Sequence, residues 1–146
     1  MKGMTPIVKE VTALVAGFIA IFGAHVVFHG HLSPGGGFPG GVILACGLIL
    51  LCLAFGREFV TGLVGEKTAT VYDCVGALAF LFIGTVLGYY GGVFFSNVLV
   101  GGKPDFLLTD GGIILPCNVA IGIKVGACLF GAFLALSLFR PGSKTT

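Results

Sequence analysis

The chain has 146 residues, 56% hydrophobic and only 10% charged, with a net charge of +2 and a mean hydropathy of +1.10. Soluble domains carry about 25% charged residues, so this balance argues for an integral membrane protein of single-domain length. The small net charge, with basic residues scattered and no basic patch interleaved with aromatics, argues against nucleic-acid binding.

About 20 apolar residues cross a bilayer as a helix. Four such runs predict an all-α fold of four transmembrane helices. The first span covers residues 7–28. Pro6 lies just before it, where proline suits a helix start. The run continues past Phe28 with no clear cleavage site, so it is read as a retained span rather than a signal peptide. His25, His29 and His31 cluster towards its far end.

Next comes Gly30-His31-Leu32-Ser33-Pro34-Gly35-Gly36-Gly37-Phe38-Pro39-Gly40-Gly41, with five glycines and two prolines in residues 34–41. Proline removes a backbone donor and fixes φ, and glycine accepts angles that other residues avoid. One reading is a tight turn between the first two helices. The other is a broken helix or re-entrant turn at membrane depth, shielded by protein or water.

The second span, 38–55, carries no charge and stops at Arg57 and Glu58. A short amphipathic connector over 59–70 holds Glu66 and Lys67. The third span, 71–90, has Asp73 about one turn inside its start and ends near Tyr89 and Tyr90, which suit a membrane interface. Residues 93–100 either lengthen it or lie along the interface. A polar loop over 101–112 holds Lys103, Asp105 and Asp110. The fourth span, 113–139, has Pro116 in its first turns and stops at Arg140-Pro141-Gly142.

Lys2, Lys9, Arg57, Lys67, Arg140 and Lys144 fall on one side of this topology, and Lys103 alone on the other. Six against one puts both termini in the cytoplasm of a multi-pass protein of the cell membrane. Small residues recur at Ala16, Gly17 and Ala20, at Gly76, Ala77 and Ala79, and at Gly122, Gly126 and Gly131. In lipid such residues let backbones approach closely, so these faces are expected to dock helices, partly those of other subunits.

The five cysteines, Cys46, Cys52, Cys74, Cys117 and Cys128, form no CxxC pair and sit in or beside apolar runs. There they act as small hydrophobes, not as a disulfide framework or a metal site. No Ser/His/Asp set, paired catalytic carboxylates or phosphate loop is present, so the chain is not expected to be an enzyme by itself.

Lys124 interrupts an apolar run near the middle of the fourth span. A lysine at that depth is costly and marks function by default. It reads either as a member of a proton or cation pathway or as an ion pair locking two subunits. Asp73 is expected near the cytoplasmic edge and Asp110 near the outer one, so its carboxylate partner is expected from a neighbouring subunit. His25 and His29, four apart on one face, read as proton shuttles at the outer mouth or as interfacial histidines bonded to backbone. Metal binding by His29 and His31 lacks an accompanying acid or cysteine. Asp73, like Glu10, either favours a positive helix start or forms an acidic step at the entrance. Asn118 either glues helices or lines a hydrated path.

The glycine–proline run resembles the signature of the MrpB/MnhB family, small subunits of multisubunit sodium/proton antiporters. The stretch Asn118-Val119-Ala120-Ile121-Gly122-Ile123-Lys124-Val125-Gly126 is similar to the form that family takes in archaeal energy-converting complexes. The resemblance covers nearly all of the chain. It implies a membrane arm beside antiporter-like subunits similar to those of respiratory complex I. In archaea such arms are coupled to membrane-bound hydrogenase or sulfur-reducing modules. The implied role is to build or scaffold a sodium path, with Lys124 and the turn from Pro34 to Gly41 as the positions carried over. Sodium ions and protons would be the transported species, with no cofactor bound by this chain. The alternatives are a purely structural membrane subunit and a small independent homo-oligomeric channel. A quinone or haem subunit is a further reading, which for haem would need histidines on two spans.

Overall fold

The computed structural model describes residues 4–32, 34–95 and 111–138. These form five helices: α1 (Pro6–Phe28), α2 (Gly37–Phe55), α3 (Arg57–Leu63), α4 (Glu66–Gly91) and α5 (Ile114–Leu138). All but α3 are long and apolar enough to cross a membrane, making this a multi-pass membrane protein. Even the shortest of them, α2 with 19 residues, reaches roughly 28 Å at 1.5 Å per residue, close to a ~30 Å hydrocarbon core.

Local chemistry sets the ends. Pro6 opens α1, where the missing N–H would have had no intrahelical partner. Gly56, at φ +98°, separates α2 from α3 with a backbone angle that other residues rarely adopt. Gly92, in the left-handed region, closes α4. At one end of the molecule the Met4 N–H donates to the Ala54 carbonyl at 2.9 Å, and the Lys9 ammonium lies 5.8 Å from the Phe55 ring centroid. The start of α1 and the end of α2 are thereby held side by side.

The long helices pack in a row. α1 lies on α2, α2 on α5, and α5 on α4, with a lesser contact between α1 and α5. Such a row leaves α1 and α4 with wide apolar faces, and residues such as Phe18, Ile21, Leu78 and Phe82 are exposed on them. Cys52, Val60, Ala69, Phe130 and Leu134 form a buried cluster where α2, α3, α4 and α5 meet.

The structure refines three points of the sequence reading. The connector expected over 59–70 is mostly helical: it supplies most of α3 and the first turn of α4. Asp73 therefore lies seven residues inside α4, about 10 Å along its axis, rather than one turn. Residues 93–95 do not lengthen α4. Phe95, at φ +60°, folds back so that its ring meets Phe80, with centroids 5.1 Å apart. Finally, the motif residues Gly37, Phe38, Pro39, Gly40 and Gly41 belong to α2 itself; Pro34, Gly35 and Gly36 precede it. Proline is tolerated at position 39 because a helix's first turn has no carbonyl to receive its N–H. Residues 96–100, the polar residues Lys103, Asp105 and Asp110, and the stop at Arg140 lie outside the described residues.

Some of the small residues serve this chain's own seams. Ala16 is buried in α1, Gly76 packs on α5, and Gly126 faces Gly41 of α2. Gly17 by contrast has nothing within 4 Å of where a Cβ would stand.

Candidate functional site at the α4–α5 seam

Gly76 lets α4 and α5 close together. A Cβ there would stand 2.9 Å from both the Ala120 carbonyl and the Lys124 Cβ. One turn earlier on α4 is Asp73, and across the seam is Lys124. The Lys124 ammonium donates to Asp73 Oδ1 at 2.7 Å, forming a salt bridge between residues 51 apart in sequence. The side chains remain 43% and 34% exposed respectively, so the pair lies open on one flank of the seam.

This corrects the expectation that Lys124 must find its carboxylate on another subunit. Two physical reasons account for the difference. α4 begins five residues before the expected start at 71, which moves Asp73 deeper. α5 also outruns α4 at that end. Where Ala69 faces Gly131, seven residues of α5 follow Gly131 but only three of α4 precede Ala69. That difference of four residues is about 6 Å. Depth counted along α4 alone thus underestimates how far inside the molecule Asp73 sits.

A second constellation lies about 9 Å away along α5, six residues before Lys124. Asn118 Oδ1 accepts the Gly37 N–H at 3.3 Å. This caps the start of α2, whose first amides lack intrahelical partners. Gly36 holds φ +107°, and a Cβ on it would sit 3.1 Å from Asn118 Oδ1. Further along, a Cβ on Gly41 would stand 2.7 Å from the Gly122 carbonyl. Asn118 Nδ2 is buried with no hydrogen-bond partner among the described residues. Gly36, Gly37 and Gly41 therefore form one side of the α2–α5 seam, while Gly40 packs on Val27 of α1. Phe38 is exposed, and Pro39 is partly buried.

His25 and His29 stack at the end of α1 with ring centroids 4.0 Å apart, and His29 Nδ1 donates to the His25 carbonyl at 3.1 Å. The His31 ring lies against Gly111, just before α5. Glu10 is exposed on α1. Among the described residues no group of three or more histidines, cysteines or acids is placed to hold a metal ion. The five cysteines are free thiols; Cys52 and Cys117 are buried, whereas Cys46, Cys74 and Cys128 are exposed.

The structure thus joins Asp73 to Lys124 and Asn118 to the motif run. Gly76 was read in the sequence only as a docking residue. The spacing Asp73-x-x-Gly76 was the available signal that the acid shares the docking face.

Comparison with known proteins is consistent across sequence and fold. An uncharacterized protein of Methanocaldococcus jannaschii is 33% identical over 139 residues, covering 91% of this chain and 52% of its own length. A Staphylococcus aureus protein named as antiporter subunit mnhB2 is 45% identical over 60 residues, covering 41% of this chain and 43% of that protein. A chain in the structure of the membrane-bound sulfane sulfur reductase, an archaeal respiratory membrane complex, superposes with a TM-score of 0.74 at 31% identity, covering 88% of this chain and 56% of that one. The chain spans about half the length of these relatives. The model of a domain related to the MnhB subunit of sodium/proton antiporters matches residues 7–131. On that match, over most of its length, the chain belongs to the MnhB-related family.

Proposed function

We propose that this chain is a membrane subunit of a multisubunit cation/proton antiporter module and contributes to its ion-translocation path. The observation that carries this reading is the Asp73–Lys124 pair inside an apolar four-span row. Lysine has three donors, and the structure gives one of them to Asp73. A proton or sodium ion arriving at the Asp73 carboxylate would weaken its hold on Lys124, and the ammonium would turn to another acceptor. A pair that exchanges partners in this way moves charge without covalent chemistry. The kinship to a sulfane sulfur reductase chain supports a place beside a hydrogenase or sulfur-reducing module, where electron transfer would drive ion movement. The chain would bind no cofactor itself. The lysine and arginine bias supports cytoplasmic termini, with the glycine–proline turn on the outer side.

The test is Lys124→Met in the assembled complex, with sodium-dependent activity as the readout. Loss of coupling with the complex intact is expected; unchanged sodium dependence rejects the role.

A second reading has its own observation. α4 makes its main contact with the row through α5, and the pair sits in that seam. On this reading the pair is a structural lock. Exchanging the charges (Asp73→Lys with Lys124→Asp) separates the two. A lock tolerates reversal, whereas a path whose steps depend on which helix carries the acid does not.

A further inference from the structure

Two apolar hollows lie over α5, between α2 and α4. One, of about 210 Å³, reaches Leu48, Val64, Tyr72 and Phe130. The other, of about 200 Å³, reaches Val27, Phe28 and Val119. Leu44, Gly122 and Ile123 line both, so the two form one groove. Glycine and alanine at 122, 126 and 127 leave it open, and Ile123 is its half-exposed floor. Lys124 and Asp73 line neither hollow. From Val119 to Phe130 the groove follows 11 residues of α5, roughly 16 Å, which matches one leaflet's share of a ~30 Å hydrocarbon core. Phe28 bounds it at one end. At the other stands Val64, beside α3, whose Val60 is fully buried in the cluster with Phe130 and Leu134. A transmembrane helix laid along α5 needs the full thickness of the core and would run into α3. A single hydrocarbon chain fits.

One residue past Val64 the surface changes character. Gly65 lines a wider hollow of about 610 Å³ with Arg57, Glu58, Thr61 and Lys67, so its lining is net positive. Phe59 and Leu63 are exposed on the same short helix that carries Arg57. A helix with that mixture of large apolar and basic residues sits at the headgroup level of a bilayer. The basic hollow therefore lies where headgroups lie, and the groove leads from that level into the hydrocarbon.

We propose that the groove and the basic hollow together bind one anionic membrane lipid, with one tail over Ile123 and the headgroup against Arg57 and Lys67. Charge complementarity selects the headgroup, because each basic side chain adds to the attraction for anionic lipid. The length of the groove selects a tail over a helix. The inference requires no ion conduction, since the ion pair lies outside the groove.

The experiment reconstitutes the full chain, in its native membrane complex, into phosphatidylcholine vesicles. The vesicles carry a trace of phospholipid with a diazirine midway along one tail, as phosphatidylglycerol in one preparation and as phosphatidylcholine in the other. After irradiation, adducts are mapped by peptide mass spectrometry. The anionic probe is expected to label Leu44 and Ile123 several-fold more than the zwitterionic probe, while lipid-facing positions elsewhere in the complex take up both alike. Lys67→Gln should lower groove labelling by the anionic probe roughly fivefold, the loss expected for one basic side chain at an anionic headgroup, and leave labelling elsewhere unchanged. Equal labelling of the groove by the two probes overturns the proposal, because the groove is then part of the general lipid surface. So does the absence of groove adducts from either probe, which would mean that a protein segment fills it. Groove labelling that is indifferent to Lys67→Gln also overturns it, because the headgroup then sits elsewhere. The comparison of the two probes on the unmodified complex stands whether or not the variant assembles.

Discussion

Lys124 and Asp73 meet at 2.7 Å across a seam that Gly76 holds narrow. The two charges cancel within one chain, so each residue's stability depends on the other being present. Removing one partner leaves an uncompensated charge in an apolar setting, whereas removing both leaves none. Lys124→Met and Asp73→Asn should each lower the melting temperature of the detergent-solubilised complex. The double variant should lose less than half of what either single variant loses. Additive losses, the double variant losing the sum of the two single losses, would show that the pair is not coupled.

The α2–α5 seam makes a prediction about glycine that composition could not. A methyl group at Gly41 would press on the Gly122 carbonyl, while at Gly17 it would meet nothing within 4 Å. Gly41→Ala should destabilise by about 1–3 kcal/mol through overpacking. Gly17→Ala should be neutral or stabilise by roughly 0.5–1 kcal/mol, because alanine favours a helix interior. Thermal unfolding of the two variants in the same detergent checks both signs.

These contrasts show what the residues disclosed by themselves. The four spans were legible because length and apolarity suffice to define a membrane helix. Their bounds differ from expectation by about one residue, except at the start of α4. There Glu66, Lys67 and Thr68 look like a polar connector, yet they form a helical first turn after Gly65. A membrane helix can project beyond its apolar core, and hydropathy marks only the core. That displacement, with α5 outrunning α4 at the same end, hid the partner of Lys124. The role of Asn118 was legible as a helix-to-helix hydrogen bond in kind but not in target. Pairing Asn118 with Gly37, 81 residues away, required the order of helices in the row, which no periodicity encodes.

Asn118 supplies the third prediction. Its side-chain oxygen satisfies the Gly37 amide, one of the unpaired donors at the start of α2. Asn118→Ala should cost about 0.5–2 kcal/mol, the range for losing a helix cap. The signature would be local: hydrogen exchange at Gly37 should quicken, while amides in the middle of α2 remain protected. Unchanged exchange at Gly37 would mean that the bond does not persist in the membrane.

The last prediction concerns α3, which has seven residues and lacks the length to be stable by itself. Its Val60 is fully buried against Cys52 of α2, Ala69 of α4, and Phe130 and Leu134 of α5. This cluster ties three long helices to the short one, at the end of the molecule where α2 gives way to α4. Phe130→Ala would remove the largest of these side chains and leave a cavity, at a cost of about 3–5 kcal/mol. Val60→Asp would bury a carboxylate among apolar groups, which α3 avoids by leaving the cluster. Limited proteolysis should then cut near Gly56 and Gly65 in Val60→Asp while α5 stays intact. In Phe130→Ala the loss should instead spread to α4 and α5, read as a lower melting temperature of the whole chain. Resistance of Val60→Asp to cleavage at both glycines would show that α3 is held by something other than this cluster.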